Sequence, residues 1–596
     1  MKTLDKPLSK SLGDFIADRT ESLNDDFIRE YFIEYSKEKV QRLVDSEQYL
    51  FEGSRGIGKT MLMKYATLKV NSSFGKDSIL GVWISFEESI RLERIKVLDT
   101  GIDPFLQWTM GKILYEVLVS ITKLRPANID KLNSRLSSIF GSTNKMDNYE
   151  MYVDLLSDYI NILETGDIED NVILKNQVPS KSLSNILDNP NSFKKFLINL
   201  ITDFSLERIV LLFDEAAHVF SYSQQEKFFS LFKALRDPRI ACKAAVYPGI
   251  TNYGKYFEKG QDAKELNLSW SAANEDDINY IKNILKKRIQ DYDQNYWNKL
   301  TVNQDIIDTI CICSNGNPRF AFHIIDDLEN SGVFNQKSIQ MQKVINSIRS
   351  VLETKWKEFS TLKNRLIKYR DYIDVAENLV KEYLIPNLRE WNNKRRAKKV
   401  KLSGGFYVST RLYDKIPQVF EVLAYSNLIT IDHTKKSIGQ GHYGYFMSFN
   451  PGILYSDRII LDVKEVKNTS IAIENNQAYY PSTSFMSQIV ETLKTESEFH
   501  CSNSKCDYKT NNEEYVYCPK CGSKVEIPEP ESLYKILRSH SIDNLKLSEK
   551  IITRLSNKFT NIGEIYDASI DDIKMKYIQD VRSEKVKNAA IEYMAG

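Results

Sequence analysis

The sequence predicts an α/β core built on a parallel sheet, with helical and small modules after it, and three stretches carry that prediction. In LFEGSRGIGKTMLMKY, Leu50 to Tyr65, an apolar β-like run enters a glycine-rich turn and a helix-like run leaves it. In ERIVLLFDEAAHVF, Ile209 to Phe213 form a continuous apolar run, as expected of a central parallel strand covered on both faces, and two acids follow at its carboxyl end. Around them lie GVWISFEES (Gly81 to Ser89), a further strand candidate, a helix-like run from Gln224 to Leu235, and ACKAAVYPGITNYGKYF, whose apolar first half reads as another strand.

The glycine turn has a chemistry. Gly53, Ser54, Arg55, Gly56, Ile57, Gly58, Lys59 and Thr60 match G-x-x-x-x-G-K-[ST] at every fixed position. Glycines there let backbone N–H groups converge on phosphate oxygens while the following helix presents its positive end to the same anion. Lys59 is then expected to reach the β and γ phosphates of ATP, and the Thr60 hydroxyl to ligate Mg2+. Asp214 is expected to hold the same metal, and Glu215 to polarise the attacking water as general base. Further on, CSNGNPRFAFHIIDDL puts Gly316, Asn317, Pro318 and Arg319 at the start of an amphipathic helix. Pro318 suits the first helical turn, and Arg319 projects from it toward the nucleotide.

With 596 residues, 42% of them hydrophobic, and a net charge of +1, the chain is long enough for several globular domains, and any nucleic-acid surface must be a local patch. The longest apolar runs are far short of a membrane span, and MKTLDKPLSKSLGDF lacks the apolar centre of a signal peptide. A cytoplasmic protein without a membrane partner is expected. Cys242, Cys311 and Cys313 sit in apolar context and read as core residues, whereas Cys501, Cys506, Cys518 and Cys521 form a spaced set. No nuclease, helicase or protease constellation is visible, since the six histidines are scattered and no carboxylate set stands out beyond Asp214 and Glu215.

The order of glycine loop, D-E strand, polar strand end and G-N-P-R helix resembles the AAA+ ATPases of the origin-recognition-complex and archaeal replication-initiator type. LNDDFIREYF before the loop, RGIGKTML in it and RDPRIACKAAVYPGITNYG after the D-E strand are similar to the bacterial group of origin-recognition-like AAA ATPases. The resemblance spans roughly residues 20 to 330, interrupted by an insertion-like segment from about Thr122 to Pro190. It implies a five-stranded parallel sheet followed by a helical lid, with ATP between them. In ring-forming ATPases the strand end after ACKAAVY carries a polar residue that reads the γ-phosphate, which makes Thr251 or Asn252 the candidate. Such rings also carry an arginine finger, yet no arginine occurs between Arg239 and Arg288. Arg236 and Arg239 either act in trans in a homo-oligomer or are solvated helix-end charges.

Beyond the lid the helical pattern runs to about Tyr383, and LREWNNKRRAKKVKLSGG follows. Arg389, Lys394, Arg395, Arg396, Lys398, Lys399 and Lys401 place seven cations in thirteen positions, opposed only by Glu390, a pattern suited to phosphate contact. FYVSTRLYDKIPQVFEVLAYSNLITIDH reads as a helix leading into a strand, and YGYFMSFNP as a second strand after the loop Lys435 to Gly444. Helices followed by a two-stranded ribbon make a winged-helix candidate, a domain the initiator family carries in this place, for duplex DNA or for a protein partner. Cys501-x4-Cys506, then eleven residues, then Cys518-x2-Cys521 predict a zinc ribbon whose four thiolates hold a structural Zn2+. The tail after Pro528 and Pro530 resembles a tandem helix-hairpin-helix domain, with NIGEIYDAS between its halves. Asp580 and Arg582 stand at the second hairpin's glycine positions, Leu545 to Ser548 also lack glycine, and eleven Lys/Arg balance ten Asp/Glu from Glu531 onward. DNA and protein contact both stay open for it.

The expected fold class is therefore an α/β P-loop AAA+ core with a helical lid, followed by a winged helix, a small zinc ribbon and an all-α helix-hairpin-helix-like domain. The expected boundaries are a helical extension over 1–45, the nucleotide-binding domain over 46–272 with its insertion near 122–190, the lid over 273–335, linker helices and winged helix over 336–465, a linker over 466–495, the ribbon over 496–527 and the tail domain over 528–596. The expected function is an ATP-driven switch on a DNA-associated scaffold. Two other readings are an ATPase sensor of a phage-defence or mobile-element system that recruits a separate effector protein, and a protein-binding adaptor with structural ATP.

Overall fold

The computed structural model describes residues 23–34, 37–86, 103–124, 126, 129–140, 149–165, 181–216, 222–268, 270–272, 274–364, 366, 369–439, 442–462, 465, 479–496, 499–501, 503, 506, 508–510, 517–523, 525–526, 537–545, 547 and 549–595. Five strands form the central sheet: β1 (Tyr49–Glu52), β2 (Ile79–Ser85), β3 (Arg208–Asp214), β4 (Ile240–Val246) and β5 (Lys264–Asn267). Their order is β2-β3-β4-β1-β5, and every neighbouring pair is parallel. The apolar runs of β3 and β4 are buried on both faces, as a sheet between helical layers requires. In ACKAAVYPGITNYGKYF the strand ends at Val246, and Gly249 and Gly254 then take left-handed backbone in the following loop. Of GVWISFEES, Glu87, Glu88 and Ser89 lie outside the described residues.

The helix Lys59–Ser72 follows the glycine loop directly and packs on β2. In the insertion-like segment the described helices are Asp130–Phe140, Tyr149–Thr165 and Lys181–Leu187, which extend the apolar core around the helix Pro104–Leu124. A buried bond from the Trp108 indole to Glu164 (2.8 Å) ties that segment to the core. After β5 come the helices Glu275–Tyr292, Gln294–Thr301, Gln304–Cys313 and Pro318–Asn330, the first, second, third and last capped by Asn274, Asp293, Asn303 and Asn317. Cys242, Cys311 and Cys313 are fully buried core residues, as expected.

Helices Met341–Thr361, Arg370–Asn378 and Ile385–Ala397 then lead to a second sheet, made of β6 (Gly405–Ser409), β7 (Ile429–Gly439) and β8 (His442–Phe449) in the antiparallel order β6-β8-β7. This corrects the reading of FYVSTRLYDKIPQVF as one helix before a two-stranded ribbon. Phe406, Tyr407 and Val408 pair with Met447, Phe446 and Tyr445 as a strand, in keeping with the strand preference of aromatic and β-branched residues. The helical part is Thr410–Tyr413 and Pro417–Tyr425, divided before Pro417.

Three short antiparallel strands, β9 (Phe499–Cys501), β10 (Lys509–Thr510) and β11 (Val525–Glu526), surround the spaced cysteines. In the tail, the helices Glu549–Leu555, Ile562–Asp567, Ile570–Ile573 and Asp580–Ala595 enclose a separate small core around Leu555, Ile562, Ile573 and Val586. The turn before the last helix holds Tyr577 at φ +73°, with Arg582 donating to the Tyr577 carbonyl (2.8 Å). Of the first hairpin, Lys546 and Ser548 lie outside the described residues. Among the described residues, no helix is long and apolar enough to cross a membrane.

Candidate active site

The sheet register determines which side chains meet. Glu52 pairs with Val246 and Phe213 with Ala244, so the carboxyl ends of β1, β4 and β3 lie side by side. The glycine loop leaves the first, Tyr247 the second, and Asp214 with Glu215 the third. Gly56 and Gly58 take φ +86° and +95°, left-handed backbone that favours glycine. A Cβ on Gly56 would lie 2.5 Å from the Asn317 side chain. Asn317 is the reason for that tightness: its Oδ1 accepts from Phe320 N (3.1 Å) as the helix cap, and its Nδ2 donates to the Arg55 carbonyl (3.0 Å). On the loop's other flank, Arg55 N donates to the Tyr425 carbonyl (3.0 Å).

Lys59 is buried, and its ammonium donates to the carbonyls of Gly53 (2.7 Å) and Ser54 (3.1 Å). It also lies 3.7 Å from the centre of the Tyr247 ring. The Tyr247 hydroxyl donates to Glu215 Oε1 (3.0 Å). Asp214, 1% exposed, accepts from Glu215 N at Oδ1 (3.1 Å) and from the Trp83 indole at Oδ2 (3.4 Å). Burial pulls the Lys59 ammonium down to about 7, and the carboxylates of Glu215, Asp214 and Glu52 work in the opposite direction. Burial likewise pushes the Tyr247 phenol well above its ordinary value, so it remains a donor. A cation that can meet phosphate oxygens and two carboxylates at a strand end are thus assembled in one place, with Thr60 next to Lys59 in the first turn of the helix, a donor set that fits a triphosphate and a divalent ion.

Tyr247 directly follows β4, ahead of Thr251 and Asn252, the residues expected from the sequence at this strand end. The Thr251 hydroxyl donates to the Tyr247 carbonyl (2.9 Å) and accepts from Tyr247 N (3.1 Å), so it braces the turn. Asn252 N donates to Gln225 Oε1 (2.6 Å), and its Oδ1 accepts from Gly254 N (3.1 Å). Arg319 lines an open cleft of about 950 Å3 together with Arg55, Gly56 and Lys355. Arg236 and Arg239 are exposed, the first donating to the Gln261 carbonyl (3.2 Å) and the second to Asp237 (3.5 Å).

The cationic run divides. Arg389 binds Asp457 (3.1 Å), and Arg396 binds Glu465 (2.9 Å) and the Ile459 carbonyl (3.1 Å), so both hold the chain after the second sheet. Lys394 reaches Glu390 at the surface (2.5 Å), and Arg395 donates to the Lys401 carbonyl. Lys398, Lys399 and Lys401 are exposed at the end of that helix. In the cysteine cluster, all four sulfurs lie within 4.8 Å of one another, with 3.3 Å between Cys501 and Cys521 and 3.7 Å between Cys506 and Cys518. Gly522, at φ +73°, donates its N–H to the Cys518 carbonyl (2.8 Å) and closes the knuckle. Separations of this size are those of a tetrahedral thiolate set.

Residues 15–437 match the ORC-CDC6-like family model, most of the chain. The chain belongs to the ORC-CDC6-like family. It is an origin-recognition-like AAA+ ATPase, and the parallel sheet with its helices is the fold of that family, whose members in general bind and hydrolyse ATP with Mg2+. Among solved structures it is similar to the Aeropyrum pernix ORC2 protein in ADPNP–ADP complexes, at 12% identity and a TM-score of 0.27, over 77% of this chain and 98% of that one. It is also similar to the Aeropyrum pernix ORC1 protein in complex with DNA, at 10% identity and a TM-score of 0.27, over 74% and 96%. No curated protein matches the chain.

Proposed function

We propose that the protein binds and hydrolyses ATP with Mg2+ and uses that cycle as a switch on a DNA-associated scaffold. The observation that carries this reading is the single group formed by Lys59, Tyr247, Glu215 and Asp214 at three adjacent strand ends. In this reading Gly53, Ser54, Arg55, Gly56, Ile57 and Gly58 wrap the phosphates, and Lys59 and Arg319 face the β and γ groups. Magnesium, held by Thr60 and Asp214, neutralises phosphate charge. Glu215 takes the proton of the attacking water, and Tyr247, bonded to its carboxylate, sets the direction in which that carboxylate points. Thr251 serves by holding the Tyr247 turn.

The DNA-associated part is supported by membership of an origin-recognition-like family and by the exposed Lys398, Lys399 and Lys401. Lys435 and Lys436 lie on β7 of the antiparallel unit, which we read as a winged helix. Arg396 is left out of the phosphate contacts because Glu465 holds it, and the same holds for Arg389 on Asp457. The cysteine cluster is read as a structural Zn2+ site, since four thiolates leave no open position for a reacting water.

Three outcomes test this reading. Lys59→Ala should weaken ATP binding, whereas Glu215→Gln should keep binding and slow hydrolysis by about a hundredfold or more, the scale of a general base. Titration and steady-state rates separate the two, and an unaltered rate in Glu215→Gln removes the catalytic assignment. Purified protein should contain one zinc per chain, lost with the local fold when Cys506 or Cys518 becomes serine; elemental analysis beside a chelator unfolding curve reads this. Neutralising Lys398, Lys399 and Lys401 together should weaken duplex binding regardless of sequence and flatten the log–log salt slope by roughly 2 to 3. An unchanged slope would assign the antiparallel unit to a protein partner instead.

A further inference from the structure

The cleft beside the glycine loop collects cations from four separate elements, one of these cations being Lys585 on the helix Asp580–Ala595. Arg55 comes from the loop itself, Arg319 from the first turn of the helix Pro318–Asn330, and Lys355 from the middle of the helix Met341–Thr361, and Gly56 lines the same space. The Lys355 ammonium lies 5.4 Å from the centre of the Phe320 ring, beside Arg319 in the chain. Among the described residues, none of Arg55, Arg319 and Lys355 ends in a carboxylate salt bridge. Two of the acids nearby are engaged otherwise: Asp327 accepts from the Ser350 hydroxyl (3.0 Å) and Asp326 from the Asn330 amide (3.1 Å), while Glu358 opposes the Lys355 charge and Glu584 lines the cleft from the last helix. Burial pulls the Lys355 ammonium down to about 8, and Arg55 and Arg319 press it in the same direction. Collecting positive charge in a half-buried cleft is costly, and an anion arriving there relieves it.

We propose that Arg55, Arg319 and Lys355 form one anion site for the terminal phosphate of the nucleotide held by the glycine loop, with Lys355 the residue that distinguishes triphosphate from diphosphate. This rests on the nucleotide reading of the loop given above. Sequence pattern hides Lys355, because LETKWKEF reads as an ordinary charged helix. The helix that carries it also packs against the helix Pro451–Ser456 after β8, and Arg349, on that same helix, donates to the Ser456 carbonyl (3.2 Å). A phosphate pulling on Lys355 therefore acts on the element that joins the two sheets.

The test uses the full chain and titrates ATP and ADP, each with Mg2+, into the parent, Lys355→Met and Lys355→Arg. Lys355→Met should weaken ATP by about tenfold, the scale of one charged hydrogen bond, and leave ADP within about twofold of the parent. Lys355→Arg should retain the preference for ATP. Equal loss for both nucleotides, or no loss for either, overturns the proposal while a parent that binds nucleotide keeps the reading of the loop intact. A parent that binds neither nucleotide overturns that reading itself. Duplex DNA is titrated in parallel: weaker DNA binding by Lys355→Met with unchanged ATP binding would assign the cleft to nucleic-acid phosphate and overturn the proposal as well.

Discussion

Strand β4 pairs with β1 on one side and β3 on the other, and the candidate active site depends on those two parallel ladders. A one-residue slip of β1 or β3 would move its buried set to the other face and carry the end of the strand away from its neighbours. In register, the ladders bring the glycine loop, Tyr247 and the Asp214–Glu215 pair to one edge without a long loop. That edge is where ligands of open parallel sheets bind. The cost of burying Lys59 and Asp214 is offset by their mutual attraction and by the Gly53, Ser54, Trp83 and Glu215 partners.

The loop is held from both sides by elements distant in sequence. Asn317 caps its own helix with one amide atom and grips the Arg55 carbonyl with the other, so the helix cannot move without the loop. Tyr425 accepts from Arg55 N, and its ring meets Tyr247 edge-on at 5.4 Å between centres. Tyr369 donates to the Gly249 carbonyl (3.0 Å), where a Cβ on Gly249 would collide with Glu421. The antiparallel unit and the helices before it thus rest against the turn that follows β4. A change at the glycine loop or at Tyr247 reaches that unit through packed contacts, which gives a switch a physical route.

What could be read from the sequence was what has a fixed spacing. Gly53 to Thr60 and Asp214–Glu215 are local patterns whose backbone demands leave few alternatives, and Asn317–Pro318 announces a helix start by its capping chemistry. The four cysteines were legible for the same reason. Tyr247 was not, because an aromatic residue in AAVYPGI looks like one more apolar strand position, and only the β4 register shows that it follows the strand end, over Lys59. KELN in β5 carries no apolar alternation, since it is an edge strand with little burial. The cationic run looked uniform in one dimension. Glu465 and Asp457, the acids that take Arg396 and Arg389, lie about seventy positions further on, beyond any local pattern.

The most direct measurement is a structure of the chain with Mg2+ and a non-hydrolysable ATP analogue. The account predicts the triphosphate wrapped by Gly53 to Thr60, the Lys59 ammonium moved from the Gly53 carbonyl onto phosphate oxygens, the metal between Thr60 and Asp214, and Glu215 beside the terminal phosphate. A nucleotide seated elsewhere, or a metal held away from Asp214 with Lys59 still on its own loop, would contradict it.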